Sequence, residues 1–147
     1  MNNEELIKEY RKQLLTVHAG TVTIVSVAEI AAYFIFVHMG LHSLSLGSRY
    51  LWLNVVLPIV LNFLTHMAVR MLCKVDSVSH KTKNYVAIYA TIITSFVVSF
   101  FHRDYIVTGC SYVFPIILSA MYNDKVILRR SLWSSLALIS VSVATLF

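Results

Sequence analysis

The sequence predicts an all-α membrane protein, a bundle of five transmembrane helices. Of the 147 residues, 58% are hydrophobic and only 13% are charged, whereas soluble domains average about 25% charged residues. The mean hydropathy is +0.73, and the apolar residues fall in blocks that are too long for ordinary core helices. Composition and block length both favour the lipid bilayer as the environment of this chain.

Five apolar blocks are candidate spans. They cover residues 17–39, 51–71, 85–101, 105–122 and 132–147. The first two are long enough to cross a hydrocarbon core of about 30 Å, and the others are at the short end of the range. Residues 1–16 mix charged and apolar side chains, which predicts an amphipathic lead-in along the inner membrane surface. Because the last block ends without a charged anchor, we expect a sixth span and a cytoplasmic output domain beyond Phe147.

The basic residues predict the orientation of the spans in the cell membrane. Ten of the twelve Lys and Arg residues fall in the N-terminal segment, at and after the end of the second block, and in the connection after the fourth block, and only Arg49 and Arg103 fall in the other connections. Cytoplasmic loops carry such an excess of basic residues, so the N-terminus is predicted to be cytoplasmic. This topology also explains the net charge of +5 without nucleic acid as a partner.

A polar stripe runs through the second span. Asn54, Pro58, Asn62, His66 and Arg70 follow one another at four-residue intervals, so that neighbouring members lie one turn apart on a helix. Polar groups in hydrocarbon are costly unless they have partners, and we therefore expect other helices to cover the stripe. This predicts that the second span is the centre of the bundle and that these residues bind a ligand or relay a signal, with Pro58 as a hinge.

Glu29 is the only acidic residue within any span. It lies near the middle of the first span, at a depth that would allow a hydrogen bond to Asn62 or His66 of the second. Such a pair could be a structural clamp, or it could serve as a proton-responsive switch, a ligand contact or an ion-pathway carboxylate. Pro115 in the fourth span is predicted to be a second hinge, since it withholds a backbone donor.

A metal site at the outer edge is a minor hypothesis. His38 and His42 are four residues apart, and His102 and Asp104 lie in the other outer connection. Histidines at this spacing can bind zinc or copper, although interfacial histidines usually contact only water. The sequence contains no common enzyme motif, so we expect no catalytic activity and no cofactor in this chain.

Three segments carry a resemblance to a known class of proteins. They are LPIVLNFLTHMAVR, the outer turn FFHRDY and FPIILSAMYNDKVILRR. They resemble the multi-span N-terminal sensory region of bacterial membrane-bound signalling proteins, such as those of Firmicutes that end in a GGDEF diguanylate cyclase domain. The resemblance implies a sensor whose helices transmit a signal to a cytoplasmic output domain. The GGDEF motif itself is absent from the sequence.

These observations lead to one functional prediction and two alternatives. The chain is predicted to be a signal-input module that binds an unknown small molecule or responds to the membrane, and that pairs with a second copy through its helices. A small multi-span transporter, or the substrate-binding membrane subunit of one, would use the same polar stripe to line a solute site. A purely structural bundle without a ligand is the third possibility.

Overall fold

The computed structural model describes residues 3–40, 48–102, 106–122 and 124–145, and within these ranges the chain is helical without any strand. The helices are α1 (Asn3–His38), a π-helical segment (Leu51–Val56) that runs into α2 (Leu57–Lys74), α3 (His80–Phe101), a 3-10 segment (Ile106–Tyr112) that runs into α4 (Val113–Met121), and α5 (Lys125–Ala144). The all-α part of the prediction is confirmed.

Helix α1 joins the predicted lead-in and the first apolar block in one continuous helix of 36 residues. Glu4 and Glu5 lie in its first turn, where negative charge interacts favourably with the helix dipole. At the other end, Gly40 has a φ of 65°, and its N–H bonds to the carbonyl of Val37 at 3.2 Å. This left-handed conformation favours glycine and commonly ends a helix.

The π-helical segment before α2 lies next to a proline. The N–H of Leu57 donates to the carbonyl of Trp52, five residues back, and Pro58 follows in the first turn of α2. Proline has no N–H to donate, and a widened turn is one of the usual ways in which a helix accommodates this loss. The helix continues through the widened turn as a single element, Ser48–Lys74.

Helix α3 is the centre of the bundle and packs against each of the other helices. The Oγ of Ser79 accepts a hydrogen bond from the N–H of Thr82 at 3.2 Å and thereby caps the first turn of α3. Small side chains, among them Ala87 and Ala90, let other helices approach α3 closely. The prediction that the second span is central is wrong, because α2 directs its long apolar side chains, such as Phe63, outward.

The second proline lies where a helix begins. Pro115 is in the first turn of α4, a position in which a missing N–H costs little. The carbonyl four residues before it, that of Ser111, accepts a hydrogen bond from the Oγ of Ser95 at 3.0 Å. Helix α3 therefore satisfies the acceptor that the proline leaves without its helical donor.

The surface of the bundle is apolar and its interior is rich in polar groups. Exposed side chains include Ile24, Met71 and Trp133, each at least 65% exposed, whereas His18 and Asn62 are fully buried. Soluble proteins show the opposite distribution. By length and composition, four helices could cross a membrane, and the helix over Gly109–Met121 is apolar but shorter.

Candidate functional site

Two buried histidines and a threonine join three helices in the interior of the bundle. The Nδ1 of His18 on α1 lies 3.2 Å from the Nδ1 of His66 on α2, and the two ring centroids are 5.1 Å apart. On the other side of the His18 ring, Nε2 lies 3.0 Å from the Oγ1 of Thr94 on α3. All three side chains are buried. We call His66, His18 and Thr94 the polar relay.

The polar relay has two hydrogen-bonded arrangements when both histidines are neutral. The contact between the two Nδ1 atoms requires one proton, which either ring can supply. If His18 supplies it, His18 Nε2 accepts a hydrogen bond from the Thr94 hydroxyl. If His66 supplies it, His18 Nε2 carries a hydrogen and donates to Thr94. A group that contacts the His66 ring from outside can therefore select the arrangement felt by Thr94.

A positively charged cavity reaches His66 from one end of the bundle. It lies between α1 and α2 and has a volume of about 470 Å³. Its lining includes, besides His66, the cationic residues Lys8, Arg11, Lys12, Arg70 and Lys74. None of its lining residues, within the part of the chain that the structure describes, is a carboxylate. We call this cavity the basic cleft.

A second cavity, of about 660 Å³, adjoins the basic cleft. The two share Lys8, Arg11, Cys73 and Lys74, and the second adds His80, Lys83 and one carboxylate, that of Asp76. Arg11 Nη1 donates a hydrogen bond to His80 Nδ1 at 3.0 Å. This bond joins α1 to the first residue of α3.

Glu29 pairs with a different residue from the ones predicted. Its Oε1 lies 3.3 Å from the Nε2 of His102, which follows α3, so the expected bond to Asn62 or His66 is wrong. The reason is the level of the residues along α1. His18 meets His66, and Glu29 lies eleven residues further along, which is about 16 Å of helix. The other carboxyl oxygen, Oε2, is buried without a protein partner among the described residues.

The polar stripe of the second span is partly covered, as its pattern predicts. Pro58, Asn62 and His66 are buried, Asn54 is half-buried, and Arg70 is exposed at the basic cleft. Neither polar atom of the Asn62 side chain has a hydrogen-bond partner in the described residues. Such buried orphans are rare in proteins and mark places where water or a ligand completes the structure.

The proposed outer metal site falls largely outside the described residues. His42 and Asp104 are not described, and neither is the side chain of His38. The fourth candidate, His102, contacts Glu29. Within the described ranges, no group of three or more potential metal ligands occurs.

Two further polar contacts connect α3 to α5. Near one end, Ser99 Oγ lies 3.2 Å from the hydroxyl of Tyr112 and 2.9 Å from Ser142 Oγ on α5. Near the other end, the Tyr85 hydroxyl donates to Asp124 Oδ2 at 2.9 Å, and Asp124 Oδ1 caps α5 by accepting from two backbone amides. The hydrogen bond from Tyr85 and those backbone amides lower the pKa of the Asp124 carboxyl below its usual value.

None of the protein-family models, curated proteins or solved structures compared with this chain matches it. The resemblance to sensory regions of signalling proteins stays a prediction.

Proposed function

We propose that this chain is the membrane-embedded signal-input module of a signalling protein. Its five helices cross the cell membrane with the N-terminus in the cytoplasm, and the basic cleft opens at the cytoplasmic face. A change at the cleft passes through the polar relay to α3, and from there to α5. An output domain such as a diguanylate cyclase, suggested by the sequence resemblance, would read the position of the last helices.

The distribution of side chains supports the membrane placement. Large apolar residues cover the outside of the bundle, and the polar groups face one another inside, which is the arrangement that hydrocarbon surroundings require. The basic residues Lys74, Lys83 and Arg130 fall in the segments that positive-inside topology assigns to the cytoplasm. The short α4, together with the 3-10 segment before it, would be the shortest of the five membrane spans.

The polar relay is the observation that carries the signalling proposal. A hydrogen bond inside a bundle stabilises a particular packing only if both partners stay in place. Here one imidazole, that of His18, bonds to both neighbouring helices at once. A change at His66 that moves the shared proton from one ring to the other therefore reverses the direction of the hydrogen bond between His18 and Thr94. The contacts of Ser99 and Tyr85 then carry a displacement of α3 to both halves of α5.

The relay can be tested by reading His18 while the cleft is changed. In the full chain, labelled with ¹⁵N-histidine and held in nanodiscs, Arg70→Gln should shift the imidazole nitrogen resonances of His18, which is fully buried. Arg130→Gln is the matched control, because it removes the same charge from an exposed position on α5, away from the cleft. A His18 spectrum that is unchanged in Arg70→Gln would rule out the relay.

A transporter is the second candidate, and the orphaned polar atoms favour it. Asn62 and Glu29 have unpartnered oxygen or nitrogen atoms, and together with His66 and His102 they mark a polar route along the bundle. Proteoliposomes loaded with a pH-sensitive dye distinguish the two functions. Proton flux above that of protein-free liposomes, lost in Glu29→Gln, would support transport. Proton flux no greater than that of protein-free liposomes would support the signal-input module.

A further inference from the structure

We propose that the basic cleft binds a phosphate-bearing anion, either the headgroup of an acidic phospholipid or a soluble phosphate compound. The inference names the ligand class of the proposed input module, and it rests on the cytoplasmic placement of the cleft. Three features carry it: the charge of the lining, the geometry of its donors, and the apolar wall on one side.

The positive charge of the residues that line the basic cleft favours the binding of an anion. Five Lys and Arg side chains and His66 converge on one cavity whose described lining contains no carboxylate. Like charges that share a cleft with low-dielectric walls repel one another and concentrate anions there. The volume of about 470 Å³ lies within the range of small-molecule sites, which is roughly 300–1,000 Å³.

The donors suit a tetrahedral phosphate better than a simple halide. Arg11 and Arg70 bring two guanidinium groups, and each can donate two parallel hydrogen bonds to phosphate oxygens. Arg11 is already oriented, since it donates to His80 at 3.0 Å. Three lysines, Lys8, Lys12 and Lys74, add positive charges on flexible side chains around the two guanidinium groups. A group with two or three negative charges would neutralise part of this positive charge.

The apolar side of the cleft favours a lipid over a soluble ligand. Leu15 and Ala19 line it on the α1 side, and other apolar side chains of α1, such as Val17 and Ile24, are exposed on the bundle surface. An acidic lipid could place its headgroup among the cations and its acyl chains along the apolar surface of α1. Basic pockets between helices on the cytoplasmic side of membrane proteins bind such headgroups.

Binding in the cleft would select one arrangement of the polar relay. The Nδ1 of His66 is engaged with His18, so Nε2 is the ring nitrogen left for an occupant. A phosphate oxygen accepts but does not donate, and it therefore requires a hydrogen on Nε2 of His66. In the neutral ring, that hydrogen makes Nδ1 an acceptor, so His18 must donate to it and must accept from Thr94.

The site can be tested with the full chain and two matched double variants. Arg70→Gln/Lys74→Gln removes two cations from the cleft, and Arg129→Gln/Arg130→Gln removes two from exposed positions of α5 on the same proposed side. Cardiolipin and phosphatidylglycerol are titrated into phosphatidylcholine nanodiscs, with native mass spectrometry to count bound lipid, and inorganic pyrophosphate is titrated by calorimetry. The cleft variant should weaken binding about tenfold or more, which is about 1.4 kcal/mol, and the control by less than about twofold.

Each outcome decides a separate point. Saturable binding of the acidic lipids alone assigns the site to a headgroup, and saturable binding of pyrophosphate in plain phosphatidylcholine discs assigns it to a soluble phosphate. Equal losses in both double variants would show that only net charge matters and would overturn the site, as would no saturable binding of any probe. Binding that is lost in the cleft variant while the wild-type His18 resonances ignore the bound ligand would uphold the site and contradict the signal-input function.

Discussion

Replacing Thr94 by valine removes one hydroxyl from the polar relay and keeps the shape of the side chain. Thr94 is 2% exposed, and its Oγ1 is the only partner found for His18 Nε2 among the described residues. Valine leaves that ring nitrogen buried without a hydrogen bond. The same helix provides a matched control in Thr91, which is also buried but donates to the carbonyl of Ile88 in its own helix.

The expected cost follows from the burial of the partner. A buried polar group left unsatisfied costs about 1–3 kcal/mol, and hydrogen bonds between helices in membrane proteins average about 0.6 and reach about 1.7 kcal/mol. We therefore expect Thr94→Val to lower the free energy of unfolding by about 1–2 kcal/mol. Thr91→Val breaks no bond between helices and should cost less than about 0.5 kcal/mol.

Reversible unfolding in mixed micelles with increasing dodecyl sulfate gives both free energies, with the fluorescence of Trp52 and Trp133 as the signal. A double-mutant cycle with His18→Leu isolates the bond itself, and the coupling energy of His18 and Thr94 should be about 1 kcal/mol. If the two threonine variants lose equal stability, or if the cycle gives no coupling, the relay as described is refuted.

Three further predictions concern other polar contacts of the bundle. The folded state lowers the pKa of Asp124. Its contribution to stability is therefore complete above the ordinary aspartate pKa near 3.8 and is lost as the pH falls through the lower pKa of the folded state. In thermal melts between about pH 5 and pH 2.5, the melting temperature of Asp124→Asn should fall less on acidification than that of wild type. Ser99→Ala breaks hydrogen bonds to two other segments and should cost about 1–2 kcal/mol in the same micelle unfolding assay, whereas the exposed Ser140→Ala, whose hydroxyl bonds only within α5, should change little. Glu29→Gln keeps an oxygen that can accept from His102 and should melt close to wild type, while Glu29→Leu loses this hydrogen bond and should cost about 1 kcal/mol. Equal melting temperatures of all three proteins would show that the hydrogen bond between Glu29 and His102 does not stabilise the bundle.

Periodicity in the sequence predicted which face of the second span would be covered. Pro58, Asn62 and His66 are buried, and large neighbours such as Phe63 and Leu64 are exposed. The four-residue interval of polar residues carries this information locally, since a helix repeats every 3.6 residues. The covered face of this helix could therefore be predicted from the sequence without knowing any tertiary contact.

The partners across helices could not be predicted in the same way. His18 was not among the predicted site residues. The spacing of Leu14, His18, Val22 and Glu29 could have identified it, because these residues follow one helical face and all four are buried. Which residue of α2 meets that face depends on the vertical offset of the two helices, and no pattern within either helix fixes that offset.

The central position of α3 was missed for a related reason. A helix at the centre of a membrane bundle is distinguished by small side chains that allow close approach, and residues such as Ala87, Ala90 and Ser95 are inconspicuous beside the polar stripe of α2. Small residues also occur on lipid-facing helices, so their number alone does not rank the helices. The contacts of the whole bundle decide the centre.

The most direct measurement of the proposed membrane topology uses single cysteines in a background of Cys73→Ser/Cys110→Ser. Ser48 and Ser77 are both exposed; Ser48 is the first residue of the helical element Ser48–Lys74, and Ser77 lies three residues beyond its end. Each is replaced by cysteine in turn. The proposed topology predicts that a membrane-impermeant maleimide labels Ser48→Cys in intact cells and labels Ser77→Cys only after the cells are permeabilised. Labelling of Ser77→Cys in intact cells, or equal labelling of both, would contradict a bundle whose basic cleft faces the cytoplasm.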